Sequence, residues 1–123
     1  MKTAKRLDDE CLVYWSRQDK CWVAHSLRTD QIGTGDCIVR AIADLLRAIK
    51  GLLELAEEDE RIQVHRPAAS EFQEMARTAK LLPREIYEIA HKMVVGGWPE
   101  DLKAEFTPKK QEPFKTKLEP ITA

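Results

Sequence analysis

The side chains best suited to metal binding or nucleophilic catalysis are few and widely spaced in this sequence. The histidines and cysteines are His25, His65, His91, Cys11, Cys21 and Cys37. A zinc site needs three or four convergent ligands, which often come from close pairs along the chain. The histidines are far apart and no CxxC pair is present. The sequence therefore predicts no metal site and no cofactor, and we expect reduced thiols in the cytoplasm.

Catalysis by a nucleophile or by a phosphate loop is equally unsupported. Cys37 follows Asp36 at an expected helix start, but a nucleophile also needs a neighbouring base, and no partner histidine is predictable. A half-buried structural cysteine is the simpler interpretation. The Gly-Thr-Gly-Asp run at 33–36 lacks the Lys-Ser/Thr pair of a phosphate loop and the third glycine of a dinucleotide loop. We expect no catalytic residue and no enzyme.

Three cations on one predicted helix are candidates for a contact with nucleic acid or with a partner protein. They are Arg40, Arg47 and Lys50. Trp15 and Trp22 lie in predicted strands, and aromatic rings beside cations suit RNA. Alternatively, the tryptophans pack in the core and the cations are solvated. The chain has 20 basic and 21 acidic residues and a net charge of −1, whereas nucleic-acid-binding domains are usually basic.

The first predicted elements along the chain that could position these residues are strands. Runs rich in β-branched and aromatic residues at 12–17 and 21–27 predict an antiparallel hairpin, and residues 31–34 predict a short third strand. With a two-residue loop, Gln18 faces Cys21 and Cys11 faces Arg28, which keeps Cys11 far from Cys21. Gly33 and Gly35 then predict a tight exit towards a helix.

A long amphipathic helix from Cys37 to Glu57 is the strongest pattern, with Asp36 as the predicted N-cap. Its apolar residues recur at spacings of three and four and are Ile38, Ala41, Ile42, Leu45, Ala48, Ile49, Leu52, Leu53 and Ala56. Gly51 weakens this helix by about 1 kcal/mol relative to alanine. Alternating residues at 61–65 predict a last strand, which Pro67 ends.

The remaining pattern is helical. A capping box at 70–73 predicts one helix, Pro83 and Gly96 bound another, and Pro99 to Phe106 suggest a final turn. The apolar face of the second of these helices is a candidate dimer interface formed by Ile86, Ile89 and Met93. A DNA-reading helix-turn-helix over 70–95 is a weaker alternative, because its turn lacks glycine.

Together these patterns predict the α+β class: a small antiparallel sheet in the order β-β-β-α-β, one long helix packed on it, and C-terminal helices. We expect a lead-in at 1–10, the core at 11–67, a helical extension at 68–106 and a flexible tail at 107–123. The start of the chain lacks the apolar segment of a signal peptide, and no run is long enough to cross a membrane.

Residues 13–55 contain a set of motifs typical of one family, and these are Trp22-Val23-Ala24, Gly35-Asp36, Ala41, Leu45 and Ala48. Through these motifs the segment resembles the HicB-like antitoxin domain, which has a partial ribonuclease-H-like fold. The chain departs from the family at Thr29-Asp30-Gln31, where a Pro-Gly-Cys turn is frequent, and at Val39 and Arg40, which replace acidic residues. Its C-terminal region matches neither the ribbon-helix-helix nor the helix-turn-helix of many members.

The resemblance implies a non-catalytic domain that binds and blocks a small RNA-cleaving toxin and forms homo-oligomers. A shared ribonuclease-H-like shape does not import nuclease activity. Two alternatives remain at this point: an RNA-binding accessory module, and a dimeric structural protein without a toxin partner.

Overall fold

The computed structural model of the chain describes residues 9–96 and 108–119, which form a mixed sheet of five strands and three helices. The strands are β1 (Asp9–Ser16), β2 (Cys21–Ser26), β3 (Ile32–Gly35), β4 (Lys80–Leu81) and β5 (Phe114–Leu118). The helices are α1 (Ile38–Glu58), α2 (Ser70–Thr78) and α3 (Arg84–Val95). The strand order is β3-β2-β1-β5-β4, and all pairs are antiparallel except β4 with β5. The α+β class is thus confirmed.

The predicted hairpin is present, but its turn is longer than expected. Ser16 pairs with Cys21. Lys20 closes the turn with a φ of 53°, and its N–H group donates a hydrogen bond of 2.8 Å to the Ser16 carbonyl. The register therefore differs from the prediction, and Cys11 pairs with Ser26 rather than with Arg28. All three cysteines are free thiols.

Helix α1 matches the predicted helix to within one residue at each end, and it packs directly on β3. A Cβ on Gly33 would lie 2.2 Å from the Leu45 nitrogen and 2.4 Å from the Ala41 carbonyl oxygen. Glycine at this position therefore permits the close approach of the helix to the strand. The N-cap is Cys37 and makes no side-chain cap bond, so the prediction of Asp36 as N-cap is wrong.

The helices cover opposite faces of the sheet. Helices α1 and α3 share one apolar cluster with Val13 and Trp22, which confirms Trp22 as a core residue. Helix α2 packs on the other face, where Phe72 contacts Tyr14 with ring centroids 6.0 Å apart. Strand β4 lies between α2 and α3. The two helices therefore do not form a helix-turn-helix unit, and that alternative is wrong.

Two segment predictions and one boundary are also wrong. Residues 61–65 form no strand; instead, the Arg66 and Ala68 N–H groups bind the carbonyls of Arg28 and Leu27 at 2.8 and 3.0 Å. The predicted tail contains β5, which lies between β1 and β4 because its apolar residues complete the core. Strand β1 begins at Asp9, inside the predicted lead-in. The predicted turn from Pro99 to Phe106 lies outside the described residues.

No helix in the described part of the chain is long and apolar enough to cross a membrane.

Candidate functional site

A buried polar network joins the start of β1 to the end of β2. The Ser26 hydroxyl donates to Asp9 Oδ2, while Asp9 Oδ1 accepts from the N–H groups of Glu10 at 2.7 Å and Arg28 at 3.1 Å. Thr29 donates to Ser26 Oγ through its N–H at 3.0 Å and its hydroxyl at 2.7 Å. Burial raises the pKa of Asp9, and the hydrogen bonds oppose this rise.

This network is organised for structure rather than for chemistry on a substrate. Ser26 is 0% exposed and Asp9 is 4% exposed, so the serine hydroxyl has no route to an external molecule. The donors that reach Asp9 belong to the start of β1, to the last residue of β2 and to the connection that follows β2. The network therefore fixes the segment that leads into β3.

His25 supports the same connection from the opposite face of β2. Its Nε2 lies 2.7 Å from Asp30 Oδ1, and its ring packs edge-on against Phe72 with centroids 4.5 Å apart. Asp30 has a φ of 58°, a left-handed conformation that aspartate tolerates better than most residues. His25 is 2% exposed. It is a buried residue that braces the turn before β3.

A cleft of about 450 Å³ opens beside this network. Its lining mixes acidic, basic and neutral side chains, and consists of Asp9, Glu10, Leu27, Arg28, His65, Pro67, Gln73 and Lys117. The Gln73 side chain is held in place because its Nε2 donates a hydrogen bond of 3.0 Å to the Leu27 carbonyl. The mixed lining favours no one class of ligand. The described residues also contain no cluster of three or more His, Cys, Asp or Glu side chains placed to hold a metal ion.

The structure places the cations that are candidates for a nucleic-acid contact on α1 and the two tryptophans on the β1–β2 hairpin. Arg40, Arg47 and Lys50 are exposed on α1, and Arg40 forms an ion pair with Asp36 at 3.1 Å. Trp22 is buried at 6% exposure. The half-buried Trp15 packs on Trp22 and carries the Lys110 ammonium 4.0 Å above its ring.

The predicted dimer interface on α3 is wrong, because its residues belong to the core of their own chain. Ile86 is 8% exposed and Met93 is 4% exposed, and Ile89 packs against the same cluster. This apolar face meets α1 within the chain. Ile86 and Met93 are therefore covered within the chain, and Ile89 is half-buried beside them.

The outer edge of β3 is an accessible backbone surface at Ile32. Among the described residues no strand other than β2 pairs with β3. Because the Ser26 N–H donates to the Gln31 carbonyl at 2.9 Å, strand alternation directs the peptide groups of Ile32 and Thr34 away from β2. Accordingly, the Thr34 N–H donates to the Asp44 carboxylate at 3.0 Å. Ile32 itself is 50% exposed.

A second exposed surface is a groove along the C-terminal half of α1, here called the α1 groove. It is lined by Gln31, Ala48, Gly51, Leu52, Glu54, Leu55 and Glu58. Leu55 is 56% exposed, and Ala48 and Leu52 are only half-buried, although their spacing predicted burial. The apolar periodicity did not reveal this surface, because Ala48 and Leu52 have the same spacing as the buried residues of α1. The sequence signal that could have indicated an exposed apolar surface was Leu55, which lies outside the predicted stripe.

We compared the chain with protein-family models, curated proteins and solved structures, and no match was found in any of the three.

Proposed function

We propose that this chain is a non-catalytic protein-binding domain of the HicB-like antitoxin type, which binds a small RNA-cleaving toxin or a related protein at the outer edge of β3. The observation that supports the proposal is the outward direction of the Ile32 peptide groups beside a half-exposed Ile32 side chain. A partner can add an extended segment to such an edge by main-chain hydrogen bonds, and side-chain contacts then give specificity.

The two edges of the sheet differ in their protection against such pairing. Natural sheets protect edges with charged residues, proline, bulges or very short strands. Strand β4 has two residues, and Lys80 forms an ion pair with Glu112 at 3.0 Å. Strand β3 has the sequence Ile-Gly-Thr-Gly, without charge or proline, and Asp44 of α1 covers its edge only at the Thr34 N–H group. The contrast favours β3 as the edge that receives a partner.

Charges around β3 favour a basic partner. Asp30 precedes the strand and is 42% exposed, and Asp36 follows it and is 72% exposed. Asp44 lies over the strand through its bond to Thr34. Arg40 offsets part of this negative charge through its ion pair with Asp36, and Arg47 lines the same cleft as Asp36 and Asp44. The three carboxylates outnumber these two cations by one, a small excess that favours the approach of a basic protein.

The test is an affinity-tagged pull-down from lysate of the native cells, with and without ribonuclease, read by mass spectrometry. Three forms are compared: the wild type, Ile32→Lys, and the matched control Leu81→Lys on β4. Leu81 is 77% exposed and Ile32 is 50% exposed. A lysine side chain at either position therefore extends into solvent and does not disturb the core. Thermal unfolding verifies that both variants fold.

We expect the wild type and Leu81→Lys to retain one small basic protein after ribonuclease treatment, and Ile32→Lys to lose it. Equal retention by Ile32→Lys would contradict the β3 edge as the binding surface. Recovery of many proteins that depends on RNA would contradict the protein-binding proposal and support the RNA-binding alternative.

A further inference from the structure

The apolar part of the α1 groove is a stripe beside the buried face of the helix. It has the i, i+3, i+4, i+7 spacing of one helix face and consists of Ala48, Gly51, Leu52 and Leu55. Leu55 is 56% exposed, while Ala48 and Leu52 are half-buried. No atom lies within 4 Å of a Cβ built on Gly51. The stripe is therefore open to solvent and has little bulk at its centre.

The shape and lining of the groove favour an α-helix as its occupant. Because the centre of the stripe has little bulk, a second helix can approach α1 closely and place its apolar residues against Leu52 and Leu55. The stripe extends about 11 Å along α1, which two turns of a second helix cover. The described polar side chains in the lining are those of Gln31, Glu54 and Glu58. An extended segment would leave most of its peptide groups unpaired here, whereas a helix satisfies its own.

The charges along the groove favour a basic partner helix. Both charged residues in the described lining are acidic, namely Glu54 and Glu58, and both are exposed. Residues 51–60 include five acidic residues and no basic one. Because the last turn of α1 also has no basic residue, the negative end of the helix dipole adds to this field. The half of the groove after Gly51 is therefore favourable for cations.

The cations nearest in the sequence offset only part of this charge. Arg61 forms an ion pair with Asp59 at 3.0 Å. Lys50 lies one turn before Glu54 and can pair weakly with it, and Arg47 lies one turn before Gly51. From residue 47 to residue 61 the chain has three basic and five acidic residues, a net charge of −2 with the acids concentrated after Gly51.

We infer that the α1 groove binds an amphipathic helix of a different protein, which places leucine-type side chains on the stripe and lysine or arginine opposite Glu54 and Glu58. Burial of the apolar stripe supplies affinity, and the carboxylates select a basic helix. The same carboxylates repel nucleic acid and anionic membrane surfaces. The groove does not use the outward peptide groups of Ile32, so this inference does not rest on the proposed function.

Two synthetic helices serve as probes of the full chain. Each has about 15 residues, a length that permits helix formation in water, with leucine at i, i+3, i+4 and i+7. One peptide carries lysine at the flanking positions and the other carries glutamate there. Fluorescence anisotropy of the labelled peptides measures binding. We expect the lysine peptide to bind with a Kd on the order of 10 μM and the glutamate peptide at least about tenfold more weakly.

A charge reversal tests the selection of a basic helix. Glu54→Lys should weaken binding of the lysine peptide about tenfold, because an attractive pair becomes repulsive. The same variant should strengthen binding of the glutamate peptide. Glu88→Lys is the matched control: it makes the same charge change at an exposed position of α3 and should leave both affinities unchanged.

Two uncharged variants test the apolar stripe. Leu55→Gln should weaken binding of the lysine peptide about tenfold, whereas the matched control Val95→Gln, at a position 72% exposed on α3, should not. Gly51→Gln fills the centre of the stripe and should also weaken binding. Since glutamine has a higher helix propensity than glycine, this variant should fold at least as stably as the wild type, and thermal unfolding verifies this.

Three results would overturn the inference. One is the absence of binding at lysine-peptide concentrations up to roughly 1 mM. Another is equal binding of the two peptides, or an equal effect of Glu54→Lys and Glu88→Lys, because the groove would then not select a basic helix. The third comes from sedimentation velocity of the chain alone: a dimer that Leu55→Gln dissociates would assign the groove to a second copy.

Discussion

Phe114 lies opposite Val13 in the antiparallel pair of β5 and β1, so a strand near the C-terminus forms part of the interior of the sheet. Phe114, Thr116 and Leu118 are at most 6% exposed, and Phe114 and Leu118 belong to the cluster that contains α1. The Arg84 guanidinium also binds the end of β5 and the residue after it. It donates hydrogen bonds of 2.7 Å to the Lys117 carbonyl and 3.0 Å to the Glu119 carboxylate. The core is therefore incomplete without β5.

Phe114→Ala should lower the free energy of unfolding by about 3–5 kcal/mol, the usual cost of removing a buried aromatic ring. Lys117→Ala is the matched control, because Lys117 is exposed on the same strand; it should change the stability by less than about 0.5 kcal/mol. Urea unfolding followed by tryptophan fluorescence measures both. Equal effects of the two substitutions would contradict the interior position of β5.

Gly33→Ala and Gly51→Ala should have opposite effects on stability. A Cβ at Gly33 meets the backbone of α1 at 2.2 Å, so we expect a loss of several kcal/mol, roughly 4 or more, or failure to fold. A Cβ at Gly51 meets no atom within 4 Å, so alanine should stabilise the helix by about 1 kcal/mol. Thermal unfolding is the measurement.

Asp9→Ala should destabilise the chain by about 2–4 kcal/mol, because it leaves buried N–H and hydroxyl donors without an acceptor. Asp9→Asn should be much milder. Its amide oxygen can accept the two N–H bonds, and its NH₂ group can donate to Ser26 if the Ser26 hydroxyl turns towards Thr29. Chemical unfolding at pH 7 compares the two variants, and equal losses would contradict the role of Asp9 as a hydrogen-bond acceptor.

The raised pKa of Asp9 also gives a pH dependence. Burial holds the folded-state pKa above its ordinary value of 3.8, so the folded chain binds this proton more tightly than the unfolded chain. The contribution of Asp9 to stability is therefore complete below pH 3.8 and falls as the pH rises through the raised pKa. The wild-type stability minus that of Asp9→Asn should decrease over this range. A difference that is flat or increases with pH would contradict the assignment.

The three thiols should differ in reactivity. Cys11 is 0% exposed, and burial raises its pKa strongly, whereas Cys21 and Cys37 are half-buried. A thiol reagent such as DTNB should label Cys21 and Cys37 in the folded chain and Cys11 only after unfolding. Peptide mapping of the labelled chain assigns the sites. Rapid labelling of Cys11 in the folded chain would contradict its burial.

Local patterns predicted the elements whose partners are close in sequence. Helix α1 was predictable because its apolar periodicity is long and regular, and the β1–β2 hairpin because its two strands are adjacent. Strand β5 was missed although Phe114-Lys115-Thr116-Lys117-Leu118 alternates as a strand does. Its partner β1 lies about 100 residues earlier in the chain, and the surrounding prolines and lysines favoured a tail by composition.

Alternation alone was equally insufficient at 61–65, where the pattern is that of a strand but no neighbouring strand accepts the segment. The apolar face of α3 gives a second example. The helical periodicity places Ile86 and Met93 on one apolar face, but it does not show whether α1 or a second chain covers that face. The β3 edge was hidden for a related reason. Whether Ile32 lies in an interior strand or at an edge depends on the order of the whole sheet.

Growth of cells that co-express the chain with its captured small protein tests the central proposal most directly. If the small protein is an RNA-cleaving toxin, its expression alone should arrest growth. Wild-type chain and Leu81→Lys should restore growth, while Ile32→Lys, present at equal level, should not. Continued arrest in the presence of folded wild-type chain would contradict the antitoxin-type function, and restoration by Ile32→Lys would contradict the β3 edge as its binding surface.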